Sequence, residues 1–200
     1  MLSYFFMLEY VSRKEVTNMN LDKIEIHGFK CFNKGLITRY GDKMKIGEKY
    51  ISNDKPVFQH NGFHMCERLE DTLRYFDAFE GEVDICKVIG YPPFHEYFDE
   101  YYGYYDMYSC QEIEIKELLT REQIIEEADK MNDMRFRRFL TLYHLNEEEL
   151  KKFMKKYIDN RYVFSHLICY YYDKNIYKKL SEGLSYEKTV KKYTKKLNLK

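Results

Sequence analysis

The chain has 200 residues, 44% of them apolar and 33% charged, which excludes a chain left disordered for want of apolar side chains. Five cysteines without a Cys-x-x-Cys pair fit reduced thiols in a cytosol and exclude a disulfide framework. The net charge of zero hides a dipole, with eighteen acids against six bases over 62–130 and fourteen bases against four acids over 151–200.

Residues 1–9 are apolar but short, lack a basic start and end on Glu9, so neither a secretory leader nor a membrane span is expected. A cytoplasmic protein of a bacterial host is the expectation, with 1–20 as an extension and the start of the functional part left open by Met7 and Met19. Leu21–His27 alternates apolar and charged side chains and predicts a half-buried strand. Gly28, Gly35, Gly41 and Gly47 then read as turns between short segments. Asn53–Pro56 is a turn, Val57–Gln59 a strand stub, and Arg68–Phe79 a helix with Leu69, Thr72, Leu73 and Phe76 on one face. Glu82–Ile89 alternates most cleanly, and Gly90 with the Pro92-Pro93 pair is expected to stop it. Ile113–Ile115 is its continuation or its partner.

From Thr120 the periodicity changes. Thr120-Arg-Glu-Gln123 is a capping-box pattern. Asn146-Glu-Glu-Glu149 opens another helix, whose acids suit the positive end of its dipole. Leu150, Phe153, Met154 and Tyr157 fall on its buried face, and helices near 161–180 and 185–197 complete a bundle. The fold expected is α+β: a small antiparallel or mixed sheet with one or two helices over 21–119, then a helical region over 120–200.

The segment His60-Asn-Gly-Phe-His-Met-Cys-Glu67 is the most distinctive. With Lys30-Cys-Phe-Asn-Lys-Gly-Leu36, Arg39, Gly47-Glu-Lys-Tyr50, Glu82–Gly90 and Ile113–Leu118, it resembles a small domain of unknown function common in phages and prophages. The resemblance covers about residues 26–119, departs at Thr38, where that family often has Cys, and leaves the helical region outside. It implies a viral or prophage origin and the motif residues Gly62, Phe63, His64, Cys66 and Glu67, but no reaction.

His60, His64 and Cys66 fall within seven residues, as a metal site would place them. Zinc takes four ligands, usually from two separated pairs, and no second pair is specified. The reading preferred is a turn at Gly62 with His64 and Cys66 as packing residues, and no metal or cofactor is expected. Glu112-Ile-Glu114 on a strand faintly resembles the acidic pair of ADP-ribosyltransferases, with His64 as a further catalytic candidate. Strand alternation alone also puts both acids on one solvent face.

Residues 91–108 hold seven Tyr, two Phe and four acids, with no Lys or Arg between Lys87 and Lys116. Tyrosine gives large contact area at low entropic cost, and interleaved acids suit a basic protein surface rather than nucleic acid. The candidate contact residues are Glu96, Asp99, Glu100, Tyr101, Tyr102, Tyr104, Tyr105 and Asp106. The Lys pairs at 151/152, 155/156, 178/179, 191/192 and 195/196 give a weaker, nucleic-acid reading. The function expected is inhibition of a host or defence protein by binding, a CRISPR–Cas nuclease being the most concrete target. Its rivals are an ADP-ribosyl-transferring enzyme and a self-assembling protein whose acidic and basic halves pair in a homodimer.

Overall fold

The computed structural model describes residues 25–57, 60–75, 83–97 and 107–196. It is α+β, with an antiparallel sheet region followed by helices. The strands are β1 (Ile26–Asn33), β2 (Lys49–Ile51), β3 (Phe63–Cys66), β4 (Val83–Tyr97) and β5 (Met107–Leu118). A short α1 (Leu69–Thr72), extended by a 3-10 turn over Leu73–Tyr75, lies between β3 and β4. The helices are α2 (Arg121–Asp129), α3 (Asp133–Leu142), α4 (Glu147–Lys156), α5 (Arg161–Tyr171), α6 (Ile176–Ser181) and α7 (Tyr186–Lys196).

The sheet curls into a small barrel. β4 pairs with β1 along Ile26↔Gly90 to Asn33↔Val83, and with β5 along Cys86↔Leu118 to Tyr97↔Met107. The other edge of β5 carries β3 (Phe63↔Cys110 to Cys66↔Met107) and then β2 (Lys49↔Glu114 to Ile51↔Glu112). The pair Phe29↔Cys66 brings β1 against β3 and closes the ring. That closing seam is narrow, whereas the β1–β4 and β4–β5 ladders run the length of their strands.

Gly28 lies inside β1 rather than at a turn. A Cβ there would sit 2.3 Å from the Cys66 carbonyl oxygen, so only glycine lets β1 and β3 meet. The Pro92-Pro93 pair does not end β4. The strand continues to Tyr97 through an irregularity in which three steps on β4 match two on β5, from Tyr91↔Glu112 to Phe94↔Cys110. A prolyl nitrogen has no hydrogen to give to the ladder, and a bulge is where a strand tolerates that loss.

Two cores follow from this closure. Inside the barrel lie Ile26, Phe32, Met65, Val88, Tyr108, Ile113 and Ile115. The second core joins the barrel's outer face, through Cys31 and Ile85, to Leu69 and Leu73 of α1 and its 3-10 turn and to the later helices. It is aromatic: Phe136, Phe139, Phe153 and Phe164 are wholly buried, and the Phe136 ring lies 4.4 Å from that of Phe153 and 5.0 Å from that of Tyr157.

The capping box expected at Thr120 forms, and Asn146 makes a second one. The Thr120 and Asn146 side chains accept from Gln123 N and Glu149 N, and the Gln123 and Glu149 side chains bond back. α4 buries Leu150, Phe153 and Met154, as its spacing predicts. Of the expected Arg68–Phe79 helix, the described part is an α turn over Leu69–Thr72 continued by a 3-10 turn over Leu73–Tyr75, which bury Leu69, Thr72 and Leu73. Residues 76–79, Phe76 among them, lie outside the described residues. Val57 makes an isolated bridge to Asn61. No helix among the described residues is long and apolar enough to cross a membrane.

Candidate functional site

The motif 62–67 forms β3 and the turn into it. Gly62 has φ +86°, a conformation that L side chains rarely adopt, and a Cβ there would lie 2.7 Å from Ser109 Oγ and 2.8 Å from the Cys110 carbonyl oxygen. Alternation along β3 turns Phe63 and Met65 to the barrel core and puts His64 and Cys66 on the opposite face. Cys66 is buried. Glu67 accepts a hydrogen bond from the buried Tyr108 hydroxyl at 2.9 Å and so helps anchor β5.

A cavity of about 430 Å³ opens at the β1–β3 seam. β1 lines it with Phe29, Lys30 and Cys31, and β3 with Phe63, His64, Met65 and Cys66. The loop after β1 supplies Thr38, Arg39, Tyr40, Asp42 and Met44. Tyr40, 84% exposed, stands at the rim.

Lys30 has the strand parity of Ile26 and Phe32, so it points toward the barrel interior, an unusual position for an ammonium. Its Nζ donates to the His64 carbonyl at 2.7 Å and lies 5.5 Å from the Phe32 ring centre. Burial holds its pKa below the ordinary lysine value, against the opposing influence of Cys110, Cys66 and Cys31. The sequence pattern does carry that signal, since Lys30 interrupts the apolar series Ile26, Phe32 at period two. A lone lysine in a strand ordinarily faces solvent, and the strand expected from the sequence ends at His27, so the pattern alone does not single Lys30 out.

His64 is half-buried in the cavity wall, and burial, with Lys30 and His60 adding to it, pushes its pKa down to about 4. It is therefore neutral at pH 7. Burial pushes the Cys31, Cys86 and Cys110 thiols up to about 12, and that of Cys66 up as well. Such thiols are poor nucleophiles. All five cysteines are free. Among the described residues no group of three or more His, Cys, Asp or Glu could hold a metal ion.

Glu112 and Glu114 do not join this site, and neither lines the cavity. Glu112 Oε1 accepts from Lys49 Nζ at 2.9 Å. Glu114 accepts from the Tyr91 hydroxyl at 2.9 Å and from Lys116 Nζ at 2.7 Å, which hold its carboxyl below the usual range. Lys49 Nζ sits 3.9 Å above the Tyr91 ring. The two acids thus alternate with inward-facing Ile113 and Ile115 and belong to an ion-paired outer face.

The acidic tyrosine run belongs to the β4–β5 hairpin. Glu96 lies opposite Tyr108 and Tyr97 opposite Met107, so residues 98–106 are the connection between the strands. Asp99, Glu100, Tyr101, Tyr102, Tyr104, Tyr105 and Asp106 lie outside the described residues. Within the hairpin, Tyr91 is half-buried and Tyr108 buried inside the barrel.

The basic stripe of α4 is largely tied down inside the molecule. Lys151 pairs with Glu147 at 2.6 Å, and Lys152 and Lys156 both reach Asp129, at 3.1 and 2.7 Å. Acidic and basic halves therefore meet within one chain. No family model, curated protein or solved structure matches this chain.

Proposed function

We propose that the chain is a phage or prophage accessory protein that binds and blocks a host or defence protein, with the β4–β5 connection as the contact. The observation that carries this reading is the pairing Tyr97↔Met107. It closes a hairpin of 15- and 12-residue strands around a connection that holds four Tyr, one Phe, three acids and no base. A long paired stem fixes where the ends of the connection emerge, and carboxylates among tyrosines match a cationic protein surface. The likeness of residues 26–119 to a phage-associated domain supports the same reading. The basic channel of a CRISPR–Cas nuclease is the most concrete target, because a surface built to hold nucleic acid also receives carboxylates.

In the enzymatic alternative, Glu112 and Glu114 would act from positions where they pair with Lys49, Lys116 and Tyr91. The test is an affinity pull-down of tagged chain from bacterial host lysate, read by mass spectrometry for partners and for modified peptides. A partner retained in roughly stoichiometric amount, and lost when Asp99, Glu100, Tyr101 and Tyr102 are replaced together by alanine, is the expected result. Retention that survives the quadruple replacement overturns it.

A further inference from the structure

We propose that the cavity at the β1–β3 seam binds a small organic anion with an apolar body, its charged group held between the Lys30 ammonium and the Arg39 guanidinium. This site is distinct from the hairpin connection and does not depend on it.

The cavity's size, about 430 Å³, is that of a small-molecule site. Phe29, Met44, Phe63 and Met107 make its walls apolar, which favours a ligand with an apolar body. Its charge is cationic. Lys30 and Arg39 line it, and the acid in the lining, Asp42, stands at the exposed rim with its carboxylate accepting from Thr38 Oγ1 at 3.3 Å. His64 in the wall is neutral at pH 7 and adds no charge.

Lys30 decides the ligand class. An ammonium has three hydrogens to donate, and the His64 carbonyl takes one. Among the described residues no carboxylate pairs with Lys30 or with Arg39. Lys30 is partly buried, and an ammonium turned toward a barrel core with no carboxylate partner among the described residues favours an anion as its counter-ion. An entering anion supplies it, and the depressed pKa of Lys30 rises again on binding. A cationic or neutral ligand would leave the ammonium uncompensated.

Isothermal titration with phenyl phosphate, phenol and inorganic phosphate separates the contributions of charge and apolar body. Phenyl phosphate is expected to bind at least about tenfold more tightly than either of the others. Lys30→Met keeps the length of the apolar stem and is expected to lower phenyl phosphate affinity by about thirtyfold or more, with phenol binding unchanged. Arg39→Gln, at an exposed position, is expected to lower it by about threefold to tenfold. Affinity should also fall as pH rises through the Lys30 pKa, at lower pH than an ordinary lysine would give. Phenyl phosphate binding no better than phenol, or a Lys30→Met protein that binds phenyl phosphate as the wild type does, overturns the proposal. Should Lys30→Met fail to fold, undiminished affinity in Arg39→Gln overturns it equally.

Discussion

Arg135 on α3 and Glu70 on α1 form a two-pronged ion pair where the barrel meets the helices, and the Glu70 carboxylate is 1% exposed. Beside it Arg138 Nη2 lies 2.7 Å from the wholly buried Asp71. α1 is a single turn, yet both of its acids are paired to the same helix. Removing one partner of a buried pair leaves a charge that water cannot reach. Arg135→Met should therefore destabilise the fold by about 3 kcal/mol. Adding Glu70→Gln should recover part of that loss. Urea unfolding of the single and double variants measures both, and strict additivity would show that the two side chains do not interact.

Asp71 and His64 should give opposite pH dependences over nearly the same range. Burial raises the Asp71 carboxyl from 3.8 to about 6, despite Arg138 beside it. Between those values the folded chain holds a proton that the unfolded chain has lost, so this group makes the fold less stable as pH rises. The full effect is about 3 kcal/mol. His64 does the reverse. It titrates at about 4 when folded and at 6.5 when unfolded, so stability is lost as pH falls through that window. Its half-buried position reduces the effect to about 2 kcal/mol. Relative to wild type, Asp71→Asn should shift the stability profile toward loss in acid, and His64→Gln should shift it the opposite way. Urea midpoints at steps of pH across the window show each effect as a difference from wild type.

What the sequence shows of this architecture is uneven for physical reasons. The helix starts at Thr120 and Asn146 are legible because a capping box is local: four consecutive residues carry both hydrogen bonds. Asp133–Leu142 is not singled out by its pattern, since its Arg135 and Arg138 answer to Glu70 and Asp71, which are far away in the chain. Barrel closure is equally non-local. Nothing near Gly28 announces that its missing Cβ makes room for the Cys66 carbonyl, and a glycine in a short segment reads as a turn. The motif Gly62–Glu67 is visible as a motif, and its turn at Gly62 is anticipated. The cavity it walls is not, because Lys30 and Arg39 reach it from another strand and loop.

Gly28→Ala tests the seam directly. The new methyl would meet the Cys66 carbonyl oxygen at 2.3 Å and Met65 Cε at 2.8 Å, and a carbonyl in a paired strand cannot swing aside as a side-chain terminus can. β1 and β3 must part, at a cost of about 2–3 kcal/mol by analogy with overpacked cores. Gly41→Ala is the control for helical or strand content, since its Cβ meets nothing within 4 Å, although its φ of +97° carries strain of its own. Hydrogen exchange should show the Gly28→Ala loss concentrated in β1 and β3, with the β4–β5 ladder still protected. Protection lost evenly across the sheet would mean that the seam does not close the barrel independently.

Glu112 and Glu114 separate the binding reading from the enzymatic one. Each acid is engaged by a cation on the barrel's outer face, and Tyr91 further holds Glu114. If the chain acts by binding through residues 98–106, Glu112→Gln and Glu114→Gln should leave partner retention unchanged. Surface pairs of this kind contribute little to stability, so the urea midpoint should stay near that of the wild type. If instead either carboxylate orients a ribose for transfer, the same conservative change abolishes turnover while folding is untouched. The measurement is partner retention alongside consumption of a nicotinamide dinucleotide in host lysate. Retention intact with no consumption by wild type is the expected outcome. Consumption by wild type that disappears with Glu114→Gln would reassign the outer face as a catalytic surface and make the Lys49–Tyr91 pair its next residues to test.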